Sequence, residues 1–350
     1  MIFKGINLNL TIPIIFLLSI GILVIYSSSS SLALNQFIFA ILGFLSYILF
    51  SLFDYKALKD FSKIGFIGIV LLLLILAILG TQIRGVIRWI PLWFFNIQPA
   101  EIAKPIIALC LANFWINNKP SWANVLKSLG IAGIPAFLIF IQPALGSALT
   151  ILGSWIAVLL CTKISFRKIL ILILIVLIIL PLGWLVMKDY QKQRVLSFIS
   201  PGTDPLGHGY NLIQSTIAVG SGQVFGRGLG FGTQSRLEFL PERRTDFIFA
   251  SIAEEFGFLG SLGLLGLYFF LMSYCFKVAN NSPDYFGFIL TVGITSMLLF
   301  QIAVNIGMNV GLLPITGITL PLVSYGGSSL FATMVSLGLV ASVANRSSKY

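Results

Sequence analysis

The chain has 350 residues, of which 57% are apolar and only 9% are charged, and its mean hydropathy is +1.00. This composition excludes an ordinary soluble domain and is typical of a polytopic membrane protein. The net charge of +11 does not indicate a nucleic-acid partner, because the basic residues are divided among membrane loops, where many of them set orientation.

Histidine and cysteine are too sparse for several kinds of site. His208 is the only histidine, which excludes a histidine-based catalytic triad and a metal site with several histidines. Cys110, Cys161 and Cys275 lie in separate apolar runs, so their spacing predicts neither a disulfide framework nor a zinc site. General acid or base chemistry must therefore come from carboxylates.

Ten apolar runs follow one another along the chain, each near the length that crosses a bilayer, about 20 helical residues. They cover residues 8–27, 37–53, 64–81, 100–116, 129–142, 147–162, 169–187, 247–276, 286–306 and 329–345. The first run follows Lys4 but has no convincing cleavage pattern, so we expect a retained anchor rather than a signal peptide. The pattern predicts an all-α membrane protein of one domain, 1–350, with ten transmembrane helices.

The basic residues predict that both termini are cytoplasmic. With the N-terminus inside, the outer loops near residues 28–36, 143–146 and 307–328 carry no Lys or Arg, as the positive-inside rule requires. The inside segments carry Lys4, Lys56, Lys59, Lys63, Lys119, Lys127, Lys163, Arg167, Lys168, Lys277, Arg346 and Lys349. The long connection between spans seven and eight, about 188–246, is then extracytoplasmic.

Two constellations precede and open the fourth span. Residues 84–93 contain Arg88 and Trp89, which suit either an interfacial anchor or recognition of a lipid headgroup. In the next helix Glu101 and Lys104 lie three residues apart on one face. They would form a local ion pair, or Lys104 would reach a carboxylate on another span or a substrate phosphate.

The long outer connection is basic and rich in glycine. Arg194 belongs to a set of basic residues that invites an anionic ligand such as a lipid phosphate or diphosphate. Glycines recur from Gly220 to Gly232 without the spacing of a nucleotide-binding motif. They indicate either a tight turn that needs unusual φ values or backbone amides that approach a phosphate.

The connection ends in Phe239–Phe249, where charged residues enter a span. Glu242, Arg243, Arg244 and Asp246 concentrate here, at a boundary where desolvation is costly, which favours a functional role. Glu242 would face the same cleft as Asp246 or merely cap the helix; the structural role is slightly favoured.

A last polar segment, residues 313–329, precedes the tenth span. It is uncharged and rich in glycine and hydroxyl groups, including those of Ser324, Tyr325 and Ser328. Non-helical backbone at this depth must be buried in protein or line a wet cavity. The segment is therefore either a structural re-entrant loop or a sugar-binding wall.

Together these motifs resemble the SEDS family of bacterial cell-wall proteins. The resemblance rests on residues 98–104, 207–215, 240–249 and 324–329, in that order, and extends from the first span to the last. Residues 232–239 look more like the RodA branch, which serves elongation, than the FtsW branch, which serves division. The resemblance implies a glycosyltransferase that polymerises lipid II at the outer face, working with a class B penicillin-binding protein and other elongation-complex membrane proteins.

The resemblance also implies residue roles. The family's catalytic aspartate falls on Asp246, as general base, and Lys104 would pair with it. The residues expected at the substrate are Glu101, Lys104, Arg88, Trp89, Arg194, Glu242, Arg243, Arg244, Ser324, Tyr325 and Ser328. No resident metal is assigned to any residue, and a divalent cation such as Mg²⁺ or Mn²⁺ is left open.

Two departures from the family pattern and two rival functions stay open. Ala144 stands where the family usually has aspartate, and Ala100 where it usually has serine. Buried ionisable groups such as Glu254 and Glu255 would also suit a lipid II flippase, although no inverted repeat is evident. The other rival is a non-catalytic scaffold that activates a penicillin-binding protein.

Overall fold

The computed structural model describes residues 7–79, 89–91, 96–187, 189–203, 205, 207 and 209–347. Its helices are α1 (Leu8–Ser28), α2 (Ser30–Leu52), α3 (Leu58–Leu79), α4 (Pro99–Ile116), α5 (Trp122–Ile141), α6 (Leu145–Cys161), α7 (Phe166–Val186), α8 (Asp189–Ile199), α9 (Tyr210–Ser221), α10 (Thr233–Arg236), α11 (Ile248–Asn280), α12 (Tyr285–Asn309) and α13 (Gly327–Ser347). Two short strands, β1 (Ile90–Pro91) and β2 (Asn96–Ile97), pair antiparallel before α4.

The described part of each of the ten apolar runs lies almost entirely within a helix. By length and composition, eight of the described helices could cross a membrane: α1 to α5 and α11 to α13. Helix α6, with 17 residues, is a shorter apolar helix, and α7 coincides with the seventh run. The connection 188–246 is not a featureless loop, since it folds into α8, α9 and α10.

The bundle is built around α12 and α13. Helix α12 packs against α4, α6 and α11, and α13 packs along α2. Gly338 permits the second contact, because a Cβ there would lie 2.8 Å from the backbone oxygen of Tyr47. Large apolar side chains such as Leu45 and Ile64 on the peripheral helices remain exposed, as expected of surfaces that face lipid.

Helix α11 is broken at Gly257, whose φ of 66° and ψ of −163° are not helical and are accessible essentially to glycine alone. The break frees amides and carbonyls that buried helices must satisfy. Residues 222–232, called here the glycine turn, bond to both sides of the break. The bonds are Arg227 N to Glu254 O, Gly228 N to Glu255 O, Phe258 N to Gln223 O and Leu259 N to Val224 O, at 2.9, 3.0, 2.8 and 3.1 Å.

These bonds bear on the two alternatives for the glycines. Gly226, Gly228 and Gly230 have φ values of 83°, 94° and 76°, which confirms the tight turn with unusual φ. The amides of Arg227 and Gly228 already bond to α11, so in this conformation they do not offer a cradle for phosphate.

Between α12 and α13 the chain runs without helix through the protein interior. Ile318, Leu320, Leu322 and Val323 in this segment are at most 3% exposed. Residues 316–326, called here the buried segment, therefore meet the condition for irregular backbone at membrane depth, because protein covers most of them. The buried segment lies against the start of α11, where the acidic motif is found.

Candidate active site

The site is built on Arg243–Asp246, called here the anchored turn, which leads into α11. Each of its four successive backbone carbonyls accepts a hydrogen bond from elsewhere in the fold. The donors are Ser251 Oγ to Arg243 O, Tyr325 N to Arg244 O, Ser324 Oγ to Thr245 O, and Asn305 Nδ2 and Asn309 Nδ2 to Asp246 O, at 3.2, 2.8, 2.6, 2.9 and 3.0 Å. The backbone that carries Asp246 is thus fixed from α11, α12 and the buried segment, the kind of support that preorganises a functional group.

Asn305 and Asn309 are the residues that sequence reasoning missed. Both are fully buried, four residues apart in α12, and so lie on one face of the helix. Besides the Asp246 carbonyl, Asn305 binds Ile318 O at 2.7 Å, and Asn309 accepts the Ala250 amide at 3.0 Å. The sequence did carry a signal, because side-chain amides in a largely apolar span require partners.

The Asp246 side chain is partly buried beside Gly317 of the buried segment. A Cβ on Gly317 would lie 3.4 Å from Asp246 Oδ2, and its φ of 69° favours glycine. Backbone therefore approaches the carboxylate closely on this side, and Asp246 keeps some exposure to solvent.

Hydrogen bonds link the four sequence motifs to one another. Ser324, in the motif 324–329, bonds to Thr245 in the motif 240–249. Ser328 links the motif 324–329 to the motif 98–104. Ser328 Oγ donates to Asn96 O at 2.6 Å and accepts from the Gln98 amide at 3.1 Å. From the second motif, Ser215 donates to Asn309 O at 2.8 Å, and Asn309 in turn holds Asp246.

These contacts change the roles of two predicted sugar-binding serines. The Ser324 hydroxyl donates to Thr245 O and accepts from the Leu320 amide at 2.8 Å, and it is 4% exposed. Ser328 is similarly buried and bonded. Both hydroxyls therefore have structural roles in this conformation. Tyr325, in contrast, is partly buried, and its hydroxyl has no hydrogen-bond partner among the described residues, so it remains available to a ligand.

Lys104 pairs with Glu101 rather than with Asp246. The Lys104 Nζ lies 2.5 Å from Glu101 Oε1, and both side chains are 6% exposed. Among the described residues Lys104 forms no other ion pair, so the expected cross-span pair with Asp246 is wrong for this conformation. The local alternative forms because a neighbour one turn away offsets the charge at less conformational cost. The pair lines a small cavity with Gln301 and Thr333.

The two arginines of the anchored turn point in different directions. Arg243 is 8% exposed, and its Nη2 lies 2.6 Å from Oε1 of the exposed Glu238, which holds the pKa of that carboxyl below its usual range. Arg244 donates from Nε and Nη2 to Ser28, at 2.7 and 2.9 Å. Burial and the neighbouring Arg243 lower the pKa of Arg244, although a guanidinium stays charged. Two adjacent cations of this kind favour an anionic partner.

The remaining predicted residues lie around this centre or outside the described chain. Glu242 has a φ of 49° and accepts the Thr245 hydroxyl at 2.9 Å, in keeping with the structural role favoured for it. Arg194, in α8, and Trp89, before β1, are partly buried. Arg88 lies outside the described residues.

Comparison with known proteins identifies the family. The model of the FtsW, RodA and SpoVE cell cycle proteins matches residues 1–349. The chain belongs to this family. The peptidoglycan glycosyltransferase MrdB of Escherichia coli K12 is 43% identical over 268 residues, 75% of this chain and 72% of MrdB. Stage V sporulation protein E of Bacillus subtilis is 35% identical over 363 residues, 98% of each chain.

Solved structures of family members have the same fold. One, described as showing the structural coordination of polymerization and crosslinking by a peptidoglycan synthase complex, has a TM-score of 0.85 and 30% identity, covering 98% of this chain and 99% of that chain. The crystal structure of the rod shape determining protein RodA of Thermus thermophilus has a TM-score of 0.73 and 27% identity, with 98% coverage of both chains. The resemblance read from the motifs is confirmed.

The two residues that differ from the family pattern both lie at the starts of helices. Ala144 is the N-cap residue of α6, where it forms no side-chain cap hydrogen bond, although aspartate is among the preferred residues at such positions. Ala100 lies in the first turn of α4 and is 2% exposed. Neither side chain carries a polar group toward the anchored turn.

The side chains around Asp246 do not fit a resident metal centre. Among the described residues no group of three or more His, Cys, Asp and Glu side chains could hold a metal ion. The guanidiniums of Arg243 and Arg244, which belong to the anchored turn, also repel a cation.

Proposed function

We propose that this chain is a peptidoglycan glycosyltransferase that polymerises lipid II into glycan strands. In this reaction a sugar hydroxyl attacks the anomeric carbon of a second, lipid-linked sugar. The new glycosidic bond forms as the carbon–oxygen bond to the lipid diphosphate breaks. The diphosphate leaves with the electron pair, and the hydroxyl proton passes to a base. A diphosphate is a good leaving group, so one carboxylate and nearby cations suffice.

The observation that carries the proposal is the fixation of Asp246. A general base must hold its position relative to the hydroxyl, and the anchored turn supplies that through four bonded carbonyls. Asp246 keeps a partly exposed carboxylate at the start of α11, where a substrate from the membrane surface has access. This placement, together with the relatives that bear the same activity in their names, supports Asp246 as the general base.

Arg244 is the favoured contact for the leaving diphosphate. It uses two nitrogens on Ser28, and its Nη1 has no partner among the described residues. Arg243 is buried and its Nη2 is paired with Glu238, so it is a supporting cation rather than a contact. Lys104 and Glu101 form a neutral pair that would reach the substrate only after rearrangement. Tyr325, Trp89 and Arg194 would complete the walls of the binding site.

The protein is a multi-pass membrane protein, and we propose ten crossings in the cytoplasmic membrane with both termini inside. The eight helices that meet the length and composition of a span are joined in this proposal by α6 and α7. The partition of basic residues supports this orientation. It places the segment 188–246, and with it the approach to Asp246, on the outer face.

A class B penicillin-binding protein is the partner that we propose, alongside other membrane proteins of the elongation complex. The solved peptidoglycan synthase complex, described as coordinating polymerization with crosslinking, covers 98% of this chain. A polymerase of glycan strands needs a transpeptidase to crosslink its product.

The decisive experiment compares wild type with Asp246→Asn in a lipid II polymerisation assay, using purified protein with its partner. Asparagine keeps the size of aspartate but cannot accept the proton, so the chemical step should slow by about 10²–10⁴-fold while lipid II still binds. Asp60→Asn, which removes an exposed carboxylate in the first turn of α3, is the matched control and should polymerise normally.

Three outcomes would contradict the proposal. Wild type that makes no glycan but moves lipid II across vesicles would establish the flippase. Wild type that is inert alone yet activates its partner would establish the scaffold. Polymerisation by Asp246→Asn at near wild-type rate would show that another group is the base.

A further inference from the structure

A small chamber behind the anchored turn gathers polar atoms that lack partners. Among the described residues six buried side-chain nitrogen or oxygen atoms have no hydrogen bond, and three of them line this one chamber. They are Arg243 Nε, Ser235 Oγ and Glu255 Oε2, on side chains that are 8%, 3% and 3% exposed. A buried polar atom without a partner is costly, so three of them on residues that line one chamber favour a bound ligand there.

The chamber has room for one small molecule. It lies among the last turn of α1, α10, the anchored turn and the first half of α11. About 10 Å³ is open to the centre of a water-sized molecule, which matches the space that one water needs.

The chemistry of the lining selects water over an ion. The Arg243 Nε–H donates, the Glu255 carboxylate accepts and the Ser235 hydroxyl does either, and water can satisfy all three. A cation would meet the guanidiniums of Arg243 and Arg244, and an anion would meet Glu255. The Gly230 amide also lies near the Glu255 carboxylate but outside hydrogen-bond geometry.

We propose that the chamber binds one ordered water that bridges Arg243, Ser235 and Glu255, and that Glu255 is thereby a positioning residue for Arg243. The other oxygen of Glu255, Oε1, is bonded to Ser27 Oγ of α1 at 2.6 Å. On the same edge of the Arg243 guanidinium, Nη2 is held by Glu238. The water would satisfy the neighbouring Nε and tie Arg243, three residues before Asp246, to α10 and α11, and through Glu255 to α1.

Ser235→Ala compared with Thr291→Val tests the water itself. Thr291 Oγ1 is also a buried hydroxyl without a partner among the described residues, but it lies in α12 away from the chamber. If the chamber is hydrated, Ser235→Ala loses a hydrogen bond and lowers Tm by about 1–2 °C. Thr291→Val should leave Tm unchanged or raise it. Equal behaviour of the two variants, or an empty chamber in a high-resolution map, would overturn the proposal.

The positioning role rests on the proposed function and has its own readout. Glu255→Gln replaces one acceptor by a donor, which should rotate Arg243 and lower kcat for lipid II by about tenfold or more, with KM within about twofold. A rise in KM alone, or unchanged kinetics, would refute the positioning role. The Tm comparison stands whether or not wild type polymerises, so failure of the water site and failure of the proposed function are separable.

Discussion

Replacing Asn309 with alanine tests the idea that the anchored turn is held rigidly by α12. The side chain donates to Asp246 O and to Asn305 O, at 3.0 and 2.8 Å, and accepts the Ala250 amide at 3.0 Å. Ala250 lies in the first turn of α11, so its amide has no partner within the helix once Asn309 is truncated. Asp246 O keeps its bond to Asn305.

The expected loss of stability in Asn309→Ala follows from these three contacts. The orphaned Ala250 amide costs about 1–3 kcal/mol. Each of the two lost donor bonds contributes about 0.6 kcal/mol, the average for polar contacts between membrane helices. We therefore expect Asn309→Ala to destabilise the fold by about 2–4 kcal/mol. At temperatures where the variant is still folded, displacement of Asp246 by about 1 Å should slow polymerisation by about 10²-fold.

Reversible unfolding in detergent and the lipid II polymerisation assay measure the two effects. The matched control is Thr295→Val, since Thr295 is equally buried in α12 but donates to Thr291 O of its own helix and has only the weakly polar Cys275 thiol as its partner in α11. It should change stability by less than about 1 kcal/mol and leave polymerisation intact. Asn309→Ala with near wild-type stability and rate would refute the argument that α12 positions Asp246.

Three further predictions concern the buried ion pair, the broken helix and the topology. Lys104→Met and Glu101→Gln should each lower the free energy of unfolding by about 3–5 kcal/mol, and the double variant should lose less than the sum of the two. Additive losses in this double-mutant cycle would show that the two residues do not act as a pair. Gly257→Ala should lower the unfolding free energy by at least about 1–3 kcal/mol, because its Cβ would lie 2.2 Å from a backbone nitrogen of the glycine turn; wild-type Tm would contradict this. In a cysteine-free background, cysteine at Ser200 should react with an impermeant thiol reagent in whole cells and cysteine at Ser282 should not, and the reverse pattern would overturn the orientation.

The helices were predictable because hydrophobic length is a strong and local signal. Each apolar run became helical in its described part, since a buried backbone in lipid must satisfy its own hydrogen bonds. The break at Gly257 was not predictable, because its stability depends on the glycine turn, some 30 residues away in sequence. The helices α8 to α10 were also missed, since in a polar connection the apolar periodicity that marks a helix is weak.

The sequence showed where the charged motif of the candidate site lies, but it did not decide which groups its side chains contact. The acidic motif was found because charges at a span boundary are costly without a purpose. The partner of Lys104 is decided by which carboxylate its flexible chain reaches, and sequence offered both Glu101 and Asp246. Ser324 and Ser328 were read as sugar contacts because sequence gives a hydroxyl's presence and not its direction.

The hydrogen bonds across the break in α11 have a consequence for where the chain tolerates change. An epitope or fluorophore inserted within residues 222–228 would separate the four bonds that satisfy both sides of the break in α11, and the damage would spread into the bundle. The same tag at Pro201 or Gly202, between α8 and α9, would be placed at a residue that is partly exposed or exposed. Within the one connection between α7 and α11, therefore, a probe at the first place would report on a damaged enzyme, and a probe at the second would report on a working one.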